Sequence, residues 1–113
     1  MTKYLISFPS SAMDVAGEEL TALAAAGHAV IDEARAAGVY VFSGGIDEGV
    51  APALVNAAGG IRAGTYPETL NLNGGMAIIE APTREEAVAW AARIAAACRC
   101  AQELREFQFD PLA

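Results

Sequence analysis

The chain contains one histidine, His28, and so one side chain whose ordinary pKa lies near neutrality. An imidazole in such a position can act as a general base, taking a proton from a hydroxyl or a carbon acid held beside it. The plainer reading is a solvent-border histidine paired with Asp32 one helical turn on, a contact worth only tenths of a kcal/mol. A second group of polar side chains, Tyr66, Glu68 and Asn71 or Asn73, falls in one short segment. A phenol beside a carboxylate and an amide suits a hydroxylated small molecule, and an ordinary solvated loop has the same composition. Arg62 and Arg93 suit a carboxylate, although surface ion pairs with the many acids account for them better.

Other patterns carry no chemistry. Cys98 and Cys100 are two apart, which gives no shared helix face and no third or fourth ligand, so no metal site is expected. A disulfide at that spacing would be strained, and Cys98 reads as a small buried hydrophobe. Gly44-Gly45 and Gly74-Gly75 are followed by neither a Gly-x-Gly-x-x-Gly pattern nor Lys-Ser/Thr, so no nucleotide cofactor is implied.

The elements that must position these residues can be read along the chain. The 113 residues form one domain, 1–113, in which 54% apolar and 19% charged residues exclude disorder. Seven basic against fourteen acidic residues give a net charge of −7, which opposes sequence-independent nucleic-acid binding. No apolar run approaches the roughly 18 residues that suggest a membrane span, and only Tyr4–Phe8 resembles a signal-peptide core. A small cytoplasmic domain is expected. Alanine makes up about a quarter of the chain, so its helices should pack closely under large strand residues.

Tyr4–Phe8, stopped by Pro9, reads as a first strand. A helix follows, with Ser10, Ser11 or Asp14 as N-cap candidates, Glu18 and Glu19 in its first turn, and Gly38 as the stop. Its apolar stripe runs Leu20, Leu23, Ala24, Gly27, Val30, Ile31 and Ala34. Val39–Phe42 is a second strand ended by Gly44-Gly45, and Leu54–Asn56 with Ile61–Ala63 flank Gly59-Gly60 as an inserted hairpin. Asn73-Gly74 is a turn before the strand Met76–Ile79. Thr83 and Glu86 form a capping box for a helix with an Ala87, Trp90, Ala91, Ile94, Ala95, Cys98 stripe. Leu104–Phe109 reads as the last strand, stopped by Pro111. The order is a ferredoxin-like βαββαβ arrangement of the α+β class with a small hairpin insertion.

Such a fold places both helices on one sheet face. The strands nonetheless carry apolar residues at both parities, as in Tyr4, Ile6 and Phe8 against Leu5, or Met76 and Ile78 against Ala77 and Ile79. A second apolar face calls for a second cover, and a homodimer joined through that face is the simplest.

Three segments then match a known pattern. His28 to Val39, with Ala-Gly-Val ten residues after the histidine, is one; Ala63 to Gly75, with Glu68-Thr69 and the final Gly74-Gly75, is another; Glu85 to Ile94, around Trp90 and Arg93, is the third. In order and spacing they resemble the YCII-related family, and within it the DGPF-domain branch, over essentially the whole chain. The resemblance implies a dimeric ferredoxin-like α+β barrel. It also implies, for some members, a lyase or dehydrochlorinase-like activity on small hydroxylated aromatics with a His–Asp pair, and for others no assigned reaction. The signature's Asp falls on Ala63, its Pro on Thr65 and its Phe on Tyr66. By analogy with relatives that place an Asp upstream of the His, Asp14 becomes the carboxylate expected to orient His28, with Asp47 and Glu48 as weaker substitutes. The expected activity is a cofactor-independent elimination or isomerisation with His28 and Asp14, and Tyr66, Glu68 and Asn71 binding the ligand. The alternative is a non-catalytic ligand-binding or regulatory module whose His–Asp pair is incomplete.

Overall fold

In the computed structural model, which describes residues 1–113, six strands and two helices follow one another. They are β1 (Thr2–Phe8), α1 (Glu18–Ala36), β2 (Tyr40–Gly45), β3 (Ala53–Val55), β4 (Ile61–Ala63), β5 (Gly75–Ala81), α2 (Arg84–Cys98) and β6 (Glu103–Glu106). The main sheet has the order β2-β5-β1-β6, antiparallel throughout, and β3 and β4 pair separately as a hairpin. Two helices on one antiparallel sheet in this order make the α+β, ferredoxin-like fold.

One face of the sheet makes the core. Tyr4 and Ile6 of β1 meet Ala81, Ile79 and Ala77 of β5 beneath Ala87 and Ala91 of α2, with Trp90, Ile94 and Leu104 closing the rim. Small helix residues let α2 approach the large strand residues, as the alanine content requires. From α1 only Leu23 and Ala34 are fully buried, and Leu20 stays 44% exposed, so the expected stripe is narrower than its sequence. Arg93 stacks 4.4 Å over Trp90 and pairs with Glu33, which ties α2 to α1.

The opposite face is open. Leu5, Ile78 and Phe42 are register neighbours there, beside Met76 and a Lys3–Glu80 ion pair of 3.2 Å. Phe107 and Phe109, beyond β6, line with Val41 and Ile78 a groove of about 1190 Å³. The molecule is accordingly thin, with extents of 43 × 42 × 20 Å. No helix is long and apolar enough to cross a membrane.

Several boundaries differ from the sequence reading. The N-cap of α1 is Gly17, φ +67°, which offers no side-chain cap, whereas Ser10 enters a 3-10 turn (Ser10–Ala12) and Asp14 stays in the link before the helix. Strand β2 runs through Gly44 and Gly45, because pairing with Met76 and Gly75 of β5 overrides their weak strand preference. Strand β6 stops at Glu106, and its pairing with β1 closes on a last bond from the Phe107 amide to the Lys3 carbonyl at 3.0 Å. Gly38 ends α1 at φ +75°, and Thr83 Oγ1 accepts the Glu86 amide at 3.2 Å, both as read from sequence.

Candidate functional site

His28 stands on α1, exposed, between Gly27 and Ala29. Its ring makes no hydrogen bond or ion pair, so both nitrogens are free to meet a ligand. Asp32 does not pair with it. The Asp32 carboxylate instead accepts from Arg35 at 3.2 Å, three residues further on. His28, Asp32 and Arg35 are spaced i, i+4, i+7 and form one stripe along the helix. Arg35 stacks 4.5 Å over the ring of Tyr40, which places that flank of α1 above β2. Glu33, on the other flank, reaches Arg93 of α2.

Beneath the Arg35 end, the Tyr40 hydroxyl lies 3.2 Å from Ser43 Oγ. The Ser43 bond holds the Tyr40 phenol below the ordinary tyrosine range, and the Arg35 guanidinium adds to that despite the opposing effect of partial burial. Residues three apart on a regular strand face opposite sides. Here the register slips between Tyr40 and Phe42, so Tyr40 opposes Ile79 and Ser43 opposes Ala77, both on the helix-covered face. Sequence reasoning passed over Tyr40 and Ser43 because the alternation rule separates them; the adjoining Gly44-Gly45 was the one local sign of irregular pairing.

Asp14 is exposed in the link ahead of α1, and no bond joins it to His28 or to any other side chain. The weaker substitutes are occupied: Asp47 accepts the Gly49 amide at 2.9 Å and Glu48 accepts the Ser10 hydroxyl at 2.9 Å. Asn73 is structural, since its Oδ1 takes the Ser10 amide at 2.9 Å.

Tyr66, Glu68 and Asn71 lie together on the arm of residues 46–74 between β2 and β5. Tyr66 is 67% exposed and, with Leu54, Val55, Ile61 and Arg62, lines a shallow concavity of about 490 Å³. Glu68 occupies a 3-10 turn (Pro67–Thr69), and Asn71 follows it, exposed. No hydrogen bond or ion pair connects these three with His28 or Asp14. The arm is fastened at its base, where the Ile46 amide donates to the Gly74 carbonyl at 2.9 Å and Asn73 and Glu48 hold Ser10.

The cysteines are free and half-buried. Burial, then the neighbouring Cys100, pushes the Cys98 thiol up, and burial pushes up Cys100 against a weaker opposing bond from Gln102. Neither is an activated thiolate.

No match is found among curated proteins. The model of the YCII-related domain matches residues 3–107, a span that takes in both helices and, Thr2 apart, all six strands. The chain therefore belongs to the YCII-related family.

Proposed function

We propose that this protein is a cytoplasmic, homodimeric member of the DGPF-like branch, a single domain over 1–113. It carries out a cofactor-independent lyase or isomerase step on a small hydroxylated organic ligand, with His28 as acid–base. The observation that carries the reading is His28 itself, the one imidazole of the chain, exposed with both nitrogens unengaged. Asp14 is the carboxylate assigned to orient it, because Asp32, Asp47 and Glu48 are already committed to other donors. Tyr66, Glu68 and Asn71 supply the polar contacts of the arm to the ligand. The apolar open face, with Leu5, Ile78 and Phe42 side by side, supports association of two copies through the sheet.

The test is the imidazole titration of His28 by NMR in the wild type and in Asp14→Asn. A pKa raised above the ordinary value of about 6.5 that returns toward it in the variant supports the His–carboxylate pair. A wild-type value near 6.5 that ignores the substitution rejects it. A second reading, a ligand-binding or regulatory module without catalysis, is favoured by Ala63 at the position of the signature Asp. It predicts saturable binding of a hydroxylated aromatic with no chemical change in the ligand.

A further inference from the structure

The margin between α1 and β2 holds a polar group that the reading above leaves unused. Three observations meet there. The Tyr40 hydroxyl and Ser43 Oγ lie 3.2 Å apart, the Arg35 guanidinium covers the Tyr40 ring at 4.5 Å, and a β-bulge turns Tyr40 and Ser43 to the same side. Bulges recur beside active sites because one extra residue re-aims a side chain.

Position along the elements carries this group toward His28. Ser43 is three residues past Tyr40, but the bulge leaves it only two partners further along β5, roughly 7 Å along the strand. His28 is seven residues before Arg35, about 10 Å back along the helix axis. Arg35 sits over Tyr40, and β1 and β2 both run against β5, so α1, which links them, runs against β2 and the two displacements have the same direction. The phenol reaches from Tyr40 toward Ser43, which carries its oxygen toward the His28 end of the margin.

We propose that Tyr40, positioned by Ser43 and Arg35, is a second proton-transfer group of the site, facing His28 across the α1–β2 margin. The inference rests on the acid–base reading of His28. In an elimination, the imidazole takes the carbon-bound proton and the C–H electron pair becomes the new double bond. The leaving group departs with its own bonding pair and takes the phenolic proton, so that HX is released. The imidazolium then returns a proton to solvent, and the Tyr40 phenolate recovers one from it. The groups facing the phenol suit this role: Arg35 of α1, with Asp32 on its far side, Ser43 of β2, and the apolar Ile79 of β5. A hydroxyl donor and a cation beside the phenol favour its anionic form, so it gives up a proton more readily than a free tyrosine.

The test uses full-length protein labelled with ¹³C in its tyrosine and histidine rings. His28 needs no assignment, and Tyr40→Phe identifies the Tyr40 signal among three tyrosines while keeping a ring under Arg35. Catechol serves as the probe. Tyr40 is expected to titrate below the ordinary value of about 10 and to move back up in Ser43→Ala. Catechol is expected to shift the Tyr40 and His28 signals with one saturation constant, weakened roughly three- to tenfold in Tyr40→Phe. Should His28 shift while Tyr40 stays still, Tyr40 is no part of the site and the inference falls, although the His28 reading survives. Stillness of both signals overturns both. If Tyr40→Phe fails to fold, Ser43→Ala carries the comparison, and an unchanged Tyr40 titration in that variant overturns the positioning by Ser43.

Discussion

Gly74 and Gly38 form a pair on which the anchoring of the arm can be tested. Both have the left-handed backbone, φ +76° and +75°. A Cβ on Gly38 would meet nothing within 4 Å, whereas one on Gly74 would overlap the Phe8 carbonyl oxygen and stand 2.7 Å from Ser10 N and 2.9 Å from Pro9 C. The left-handed conformation alone costs a non-glycine residue about 1–2 kcal/mol. Gly38→Ala should lose that amount and no more. At Gly74 the backbone of the β1 exit must also move, and overpacking of this kind adds roughly 1–3 kcal/mol, for a total of about 2–5 kcal/mol. Native stabilities are about 5–15 kcal/mol, so the second loss is large. Urea denaturation followed by far-UV circular dichroism measures both, and the m-values should match between variants. The close approach of Gly74 to β1 is the whole source of the difference. Equal losses in the two variants would refute it, and with it the idea that the close fit of Gly74 clamps the arm onto the end of β1.

Four further outcomes are expected. Thr83→Ala removes the acceptor for the Glu86 amide and should cost about 1 kcal/mol in the same urea assay, with Thr83→Ser restoring most of it. The Cys98 thiol is raised by burial, so the unfolded chain ionises first; stability from the neutral thiol holds below the ordinary value of 9.0 and is lost as pH climbs through the folded value. Alkylation of Cys98 by iodoacetamide at pH 8 should therefore lag that of the urea-unfolded chain, and equal rates would contradict the burial. Ile79 is fully buried under α2, and Ile79→Ala should cost about 2–5 kcal/mol at any protein concentration. Its neighbour Ile78 faces the open side, so Ile78→Glu should shift light scattering from dimer to monomer under the dimer proposal; a wild type already monomeric at micromolar concentration removes that proposal.

The parts of this fold that sequence reveals are those fixed by local chemistry. Thr83 with Glu86, Gly38 after an apolar stripe, and Gly59-Gly60 between two short apolar runs each mark a boundary by satisfying a backbone group or allowing a positive φ. The parts it conceals depend on a neighbour distant in sequence. Strand β2 extends through two glycines because β5 lies beside it. The same holds at the candidate site. His28 is visible as the single imidazole, and Asp14 as a carboxylate upstream. That Asp32 turns to Arg35, that Arg35 covers Tyr40, and that a bulge brings Tyr40 to Ser43 all follow from α1 lying along β2.

The irregular backbone of the main sheet gathers at one side. The β1–β6 and β1–β5 pairings run without a break, while β2 carries the bulge, gives rise to the arm at its end, and takes it back through Gly74 into β5. Departures from ideal geometry in a natural fold are expected where function or protection demands them. β2 is an edge strand, and edge strands need a guard against pairing with other chains. A lysine or a proline would serve that need, and β2 has neither. Its extra residue does something a charge does not. It interrupts the edge and also turns a phenol and a hydroxyl together into the helix layer beside Arg35, so one irregularity both guards β2 and aims Tyr40 and Ser43.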